Sequence, residues 1–175
     1  MGTIWVHAET NNGAVSTITL ELLAKARELG DVVAVHAGGD AEQVAAELGE
    51  HGASKILSTG DLDGGLPGPA LGSALADLAA SEAPQAILFG TTYGGRDVAG
   101  RLSAKLDAPV ITNIVDIVDS DGLVGIEPVF GGTTNVNTKF TGSKPGIFLV
   151  RPKSFNAEPT GGSPAEVGAL TVPEL

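Results

Sequence analysis

Thr91, Gly94, Gly95, Arg96 and Asp97 are the residues whose types and spacing could hold a small molecule, with Glu9 and Gly13 as their counterparts near the start of the chain. A glycine-bearing turn after an apolar run and before a helical pattern exposes free backbone N–H groups, and the helix dipole there favours an anion. A phosphate could rest near Arg96. Gly94 and Gly95 would permit left-handed backbone angles at little steric cost. The same residues also read as a tight turn, with Asp97 complementing the dipole and pairing with Arg101 for about 0.3–0.5 kcal/mol. Both readings stand on the sequence alone.

Other chemistries find no residues to carry them. Gly95-x4-Gly100-Arg101-Leu102 approaches a P-loop but lacks the Lys and the Ser or Thr that hold phosphate and Mg²⁺, and no GxGxxG follows any strand. No G-x-S-x-G is present to supply a nucleophile. His7, His36 and His51 have no metal-ligand spacing, although His7 and His36 would be neighbours if their strands pair. The pattern Asp119-Ser-Asp121-Gly122 is a hairpin signal without the remaining calcium-ligand positions, and Asp61 and Asp63 sit in a glycine loop. The chain has no cysteine, which removes disulfides and thiolate chemistry. The expectation is therefore a protein that is not an enzyme and has neither a catalytic residue nor a metal site.

With 10 basic and 21 acidic residues the net charge is −11, so nucleic acid and anionic membranes are poor partners. No basic leader and no run of membrane-spanning length occurs, which makes the cytoplasm the expected compartment.

The elements that must position these residues follow a βα alternation. Thr3–Ala8 is a strand with apolar residues on both faces, and Asn12-Gly13 turns the loop after it. Helix Thr17–Leu29 is capped by Ser16 and stopped by Gly30. Val32–His36 is the next strand, and Asp40 with Gln43 suggests a capping box for a helix that Gly49 ends. Lys55–Ser58 is a third strand, and the loop of residues 60–69 precedes helix Ala70–Ser81. Ala86–Gly90, the helix beyond Gly95 and strand Val110–Val118 complete the series. Such alternation predicts an α/β fold, a doubly wound and mainly parallel sheet. After Asp119 period-two alternation and turn dipeptides predict an antiparallel C-terminal extension at or beyond the sheet's edge, including a buried strand Ile147–Val150. Residues 156–175 have Pro/Gly-rich linker composition.

Several segments, in order, resemble the N-terminal domain of the electron-transfer flavoprotein alpha subunit. They are the opening strand with Glu9 and Gly13, the turn Thr91-Thr-Tyr-Gly-Gly-Arg-Asp97 with Gly100-Arg-Leu102, Asn113-Ile-Val-Asp116, Phe130-Gly-Gly132, and Val150-Arg-Pro-Lys-Ser-Phe155. Thr10 stands where that family often has His. The resemblance implies an adenine nucleotide alpha hydrolase-like fold over residues 1–155 and a linker, 156–175, toward an absent FAD-binding C-terminal domain. It implies a heterodimer with a beta subunit, electrons taken from flavin dehydrogenases such as acyl-CoA dehydrogenases, and delivery through FAD to a membrane quinone oxidoreductase and the respiratory chain. FAD would sit mainly in the absent domain, AMP or a second FAD in the beta subunit, and no cofactor in this chain. The chain would be scaffold and subunit interface, with Ile147–Val150 as interface material and no insertion into the membrane. The alternative is a stand-alone nucleotide-binding module of the universal-stress type, using the crevice between Gly13 and Gly94.

Overall fold

Ile4, Trp5 and Val6 are apolar on both faces of their strand because both faces are covered. The computed structural model describes residues 2–142 and 145–174. In order the elements are β1 (Thr3–Ala8), β2 (Thr10–Asn11), β3 (Ala14–Val15), α1 (Thr17–Leu29), β4 (Asp31–His36), α2 (Ala41–Glu50), β5 (Lys55–Ser58) and α3 (Pro67–Glu82). There follow β6 (Ala86–Gly90), α4 (Tyr93–Leu106), β7 (Val110–Ile114), β8 (Asp116–Asp119), β9 (Leu123–Val129), a 3-10 turn (Phe130–Gly132), β10 (Thr134–Lys139), β11 (Gly146–Val150) and β12 (Glu166–Ala169).

Seven strands form one sheet in the order β12-β5-β4-β1-β6-β11-β7, and every pairing in it is parallel. Ile4 and Val6 pack on one face with Leu22 and Leu23 of α1 and Val44 and Leu48 of α2. Trp5 points the other way, into Leu71 and Leu75 of α3 and Val98 and Leu102 of α4. This is the expected doubly wound α/β fold. Successive strands run outward from β1 through β4 and β5, then return to its other side at β6, so the strand order reverses between β1 and β6.

Several expected elements differ. The single strand Val110–Val118 breaks at Val115, whose N–H bonds Ile126 O, and β8 leaves for a separate antiparallel sheet, β10-β9-β8. That sheet is an insertion between β7 and β11, not a C-terminal extension. The strand Ile147–Val150 was expected in the antiparallel part, at or beyond the edge, as interface material. It lies instead between β6 and β7, parallel and buried, which is what a strand apolar on both faces requires. Residues 156–175 are not all linker: β12 pairs in parallel with β5 and forms one edge of the sheet. Its approach crosses the end of α2, where Ala165 N bonds Ala45 O and Gly49 has no Cβ to meet Ser163 O. Gly49 therefore lies inside α2 and does not stop it.

The caps differ too. Neither Ser16 nor Asp40 makes a side-chain cap bond; Ser16 pairs with the Thr19 hydroxyl and Asp40 turns to His36. Helix α3 begins at Pro67, three residues earlier than expected, because proline is tolerated where the helix needs no N–H.

Candidate functional site

A cleft of about 370 Å³ opens at the carboxyl ends of β1 and β4, against the first turns of α3 and α4. It lies beside the point where the strand order reverses, the usual ligand position in open α/β sheets. His7, Glu9, Thr10 and His36 line it from the sheet side, and Leu66, Pro67, Tyr93, Gly94 and Asp97 from the helix starts.

The start of α4 is built around Thr92. Its hydroxyl accepts from Gly95 N at 2.8 Å and donates to the Glu9 carboxylate, at 2.9 and 2.8 Å from its two oxygens. The Glu9 backbone is itself held, its N–H donating to Thr19 Oγ1 at 2.9 Å. Glu9 thus lays a carboxylate over the helix start, where the sequence suggested a phosphate. Burial raises the Glu9 pKa above the ordinary carboxylate value, and the Thr92 hydrogen bond offsets part of that rise.

Gly94 and Gly95 are not in left-handed conformations; both are helical residues of α4. Space is the reason for glycine. A Cβ on Gly94 would sit 2.7 Å from Glu9 Oε1, and one on Gly95 would collide with the Gly90 carbonyl oxygen.

Of the residues singled out from sequence, Glu9, Gly94 and Asp97 meet in the cleft, where Asp97 also accepts from Arg101 Nε at 2.8 Å. The others lie elsewhere. Gly13 sits in the exposed turn between β2 and β3 with φ +77°. Thr91 fastens β6 to β11, its N–H and hydroxyl both donating to Val150 O. Gly95 is buried under the Thr92 cap, and Arg96 is exposed and does not line the cleft.

His7 and His36 become neighbours because β1 and β4 pair, with Ala8 opposite His36. His36 bridges two acceptors: Nδ1 lies 2.8 Å from Ala8 O and Nε2 lies 2.8 Å from Asp40 Oδ1. Its two-donor form satisfies both. His7 packs against Phe89, ring centroids 5.4 Å apart, and its Nδ1 has no hydrogen-bond partner. Its pKa falls to about 4, first through burial and then through the charge of His36. His7 is therefore a neutral imidazole at neutral pH. The histidines carry no metal-ligand spacing in the sequence, and Tyr93 and Leu66 give no signal there because their exposure depends on where α3 and α4 begin. Among the described residues no group of three His, Asp or Glu side chains could hold a metal.

The motif Val150–Phe155 has a structural part in the fold. The N–H groups of Lys153 and Ser154 donate to the buried carboxylate of Glu21 at 2.8 and 3.2 Å, which ties the loop after β11 to α1.

Comparison with known proteins places the chain. A model of the electron transfer flavoprotein domain matches residues 4–175. An electron transfer flavoprotein subunit alpha of Mycobacterium tuberculosis (strain CDC 1551 / Oshkosh) is 35% identical over 171 residues, covering 95% of this chain and 52% of the relative. One of Mycobacterium leprae (strain TN) is 33% identical, covering 93% and 51%. Protein FixB of Rhizobium meliloti (strain 1021) is 30% identical, covering 85% and 46%. The chain spans about half the length of the curated relatives it matches. With residues 4–175 matched and the doubly wound sheet in place, the chain belongs to the electron transfer flavoprotein domain family.

Proposed function

We propose that this chain acts as the N-terminal body of an electron transfer flavoprotein alpha subunit, an electron carrier and not a catalyst. Residues 1–155 form that body. Residues 156–175 lead toward an FAD-binding domain, with β12 anchoring the segment to the sheet on the way. Its partner is a beta subunit, which holds AMP or a second FAD. In the complex, electrons pass from flavin dehydrogenases such as acyl-CoA dehydrogenases through FAD to a membrane quinone oxidoreductase. The observation that carries this reading is the continuous match over residues 4–175, with alpha subunits among the relatives. A cytoplasmic location agrees with it. Among the described residues no helix is long and apolar enough to cross a membrane.

Co-expression with an electron transfer flavoprotein beta subunit tests the proposal. The expected result is a complex of one copy each. If the chain stays alone while a full-length alpha subunit captures the same beta subunit in parallel, the reading is wrong.

The position of the cleft favours a second reading, a stand-alone nucleotide module of the universal-stress type. Against it stands the Glu9 carboxylate at the helix start, where a nucleotide phosphate would rest. Calorimetry with ATP and AMP separates the two readings, and no heat at high micromolar ligand is expected.

A further inference from the structure

The cleft has properties that neither a scaffold nor a phosphate site needs. His7 is about 5% exposed, lines the cleft, and keeps an unpaired Nδ1. Trp5 Nε1 and Ser73 Oγ are also buried without partners, but neither residue lines the cleft. The His7 Nδ1 is sealed from solvent, so a ligand in the cleft would meet His7 through other atoms of its ring. At the helix starts, Tyr93 and Leu66 are 94% and 72% exposed, two of the few large apolar side chains left in water. Both line the cleft, so a ligand there would cover apolar surface now in water. The Tyr93 ring suits a flat partner, which it could meet by offset stacking.

Charge narrows the class. Glu9 and Asp97 line the cleft, and neither Lys nor Arg does. Among the described residues the cations beside the cleft are engaged, His36 by Asp40 and Arg101 by Asp97, each at 2.8 Å. A phosphate entering here would meet the Glu9 carboxylate, while Asp97 is already neutralised by Arg101 at 2.8 Å. A neutral heterocycle would meet the cleft-facing edge of the His7 imidazole, the Thr10 side chain and the Tyr93 ring. A cleft of about 370 Å³ is at the small end of ligand sites, the size of a nucleoside and not of a dinucleotide.

We propose that the cleft at the carboxyl ends of β1 and β4 binds an uncharged planar nitrogen heterocycle of nucleoside size and rejects its phosphate esters. The heterocycle stacks on Tyr93 and hydrogen-bonds at the His7 wall. Glu9 repels the phosphate of a nucleotide and so sets the preference.

Adenosine and AMP are the probes, titrated into the chain and followed by NMR of the His7 and Tyr93 ring signals. Adenosine is expected to shift both sets, with AMP at least tenfold weaker. Tyr93→Ala, at a side chain in water, leaves the fold intact and weakens adenosine severalfold. His7→Phe keeps an aromatic ring against Phe89 and weakens adenosine about tenfold. Glu9→Gln narrows the adenosine preference by strengthening AMP. The proposal is overturned if AMP binds as well as adenosine, or if neither probe moves the His7 or Tyr93 signals at millimolar concentration. Failure of the beta subunit to bind would leave this site unaffected, so the two proposals fail separately.

Discussion

His7 has a folded-state pKa of about 4 against an ordinary 6.5. A histidine whose folded pKa is depressed contributes stability that is fully present above 6.5 and lost as pH falls toward 4, because protons bind the unfolded chain first. Roughly 3 kcal/mol should disappear over that window. Denaturant titrations of the chain and of His7→Phe at pH 7 and pH 4 should show this loss in the difference between them. Glu9 works in the opposite direction: its raised pKa makes its ionised form costly, and the cost is relieved as pH falls through its folded value. In Asp40, burial pushes the pKa up but hydrogen bonds from His36 and Thr10 and the charge of His36 outweigh it, so Asp40 stability is lost below the ordinary carboxylate value. The two glycines of α4 also separate at this scale. Gly95→Ala drives a Cβ into the Gly90 carbonyl and should cost about 1–3 kcal/mol, whereas Gly94→Ala meets only the movable end of Glu9 and should cost less in thermal melts. The sequence marks both as glycine but cannot say why. A glycine needed for close approach and one needed for a left-handed turn look alike until the neighbour is known.

The cap of α4 and the seat of β12 are properties of elements. Thr92→Ala removes the acceptor for Gly95 N and the donor to Glu9, and equilibrium unfolding should show a loss of about 1–2 kcal/mol. Gly49→Ala would place a Cβ against Ser163 O, so β12 should detach while β1, β4 and β6 stay paired. Hydrogen exchange should then accelerate across Ala165–Leu170 and not across Ile4–Ala8; equal acceleration in both would mean that β12 is integral to the core. The interior strands were legible because they are apolar on both faces, as in Ile87-Leu88-Phe89. β12 was not, since Glu-Val-Gly-Ala is short and carries little apolar surface, and its place depends on a glycine more than a hundred residues earlier. The Val115 break was hidden for a related reason: Val110–Val118 suits a strand throughout, and only the competing pairing of β8 with β9 splits it.

At the scale of the molecule, alternating strands and helices were enough to give the doubly wound sheet, whereas the insertion of an antiparallel sheet before β11 depends on contacts distant in sequence. The candidate site was half legible. Glu9, Gly94 and Asp97 line one cleft, with the Glu9 carboxylate over the helix start, and the histidines and Tyr93 that line it beside them carried no sequence signal for a ligand. The proposed function puts the flavin outside this chain. The most direct test is the visible absorption spectrum of the purified chain, recorded before and after denaturation. No flavin is expected in either trace; a stoichiometric flavin released on unfolding would overturn the proposed division of labour and place the cofactor in this domain.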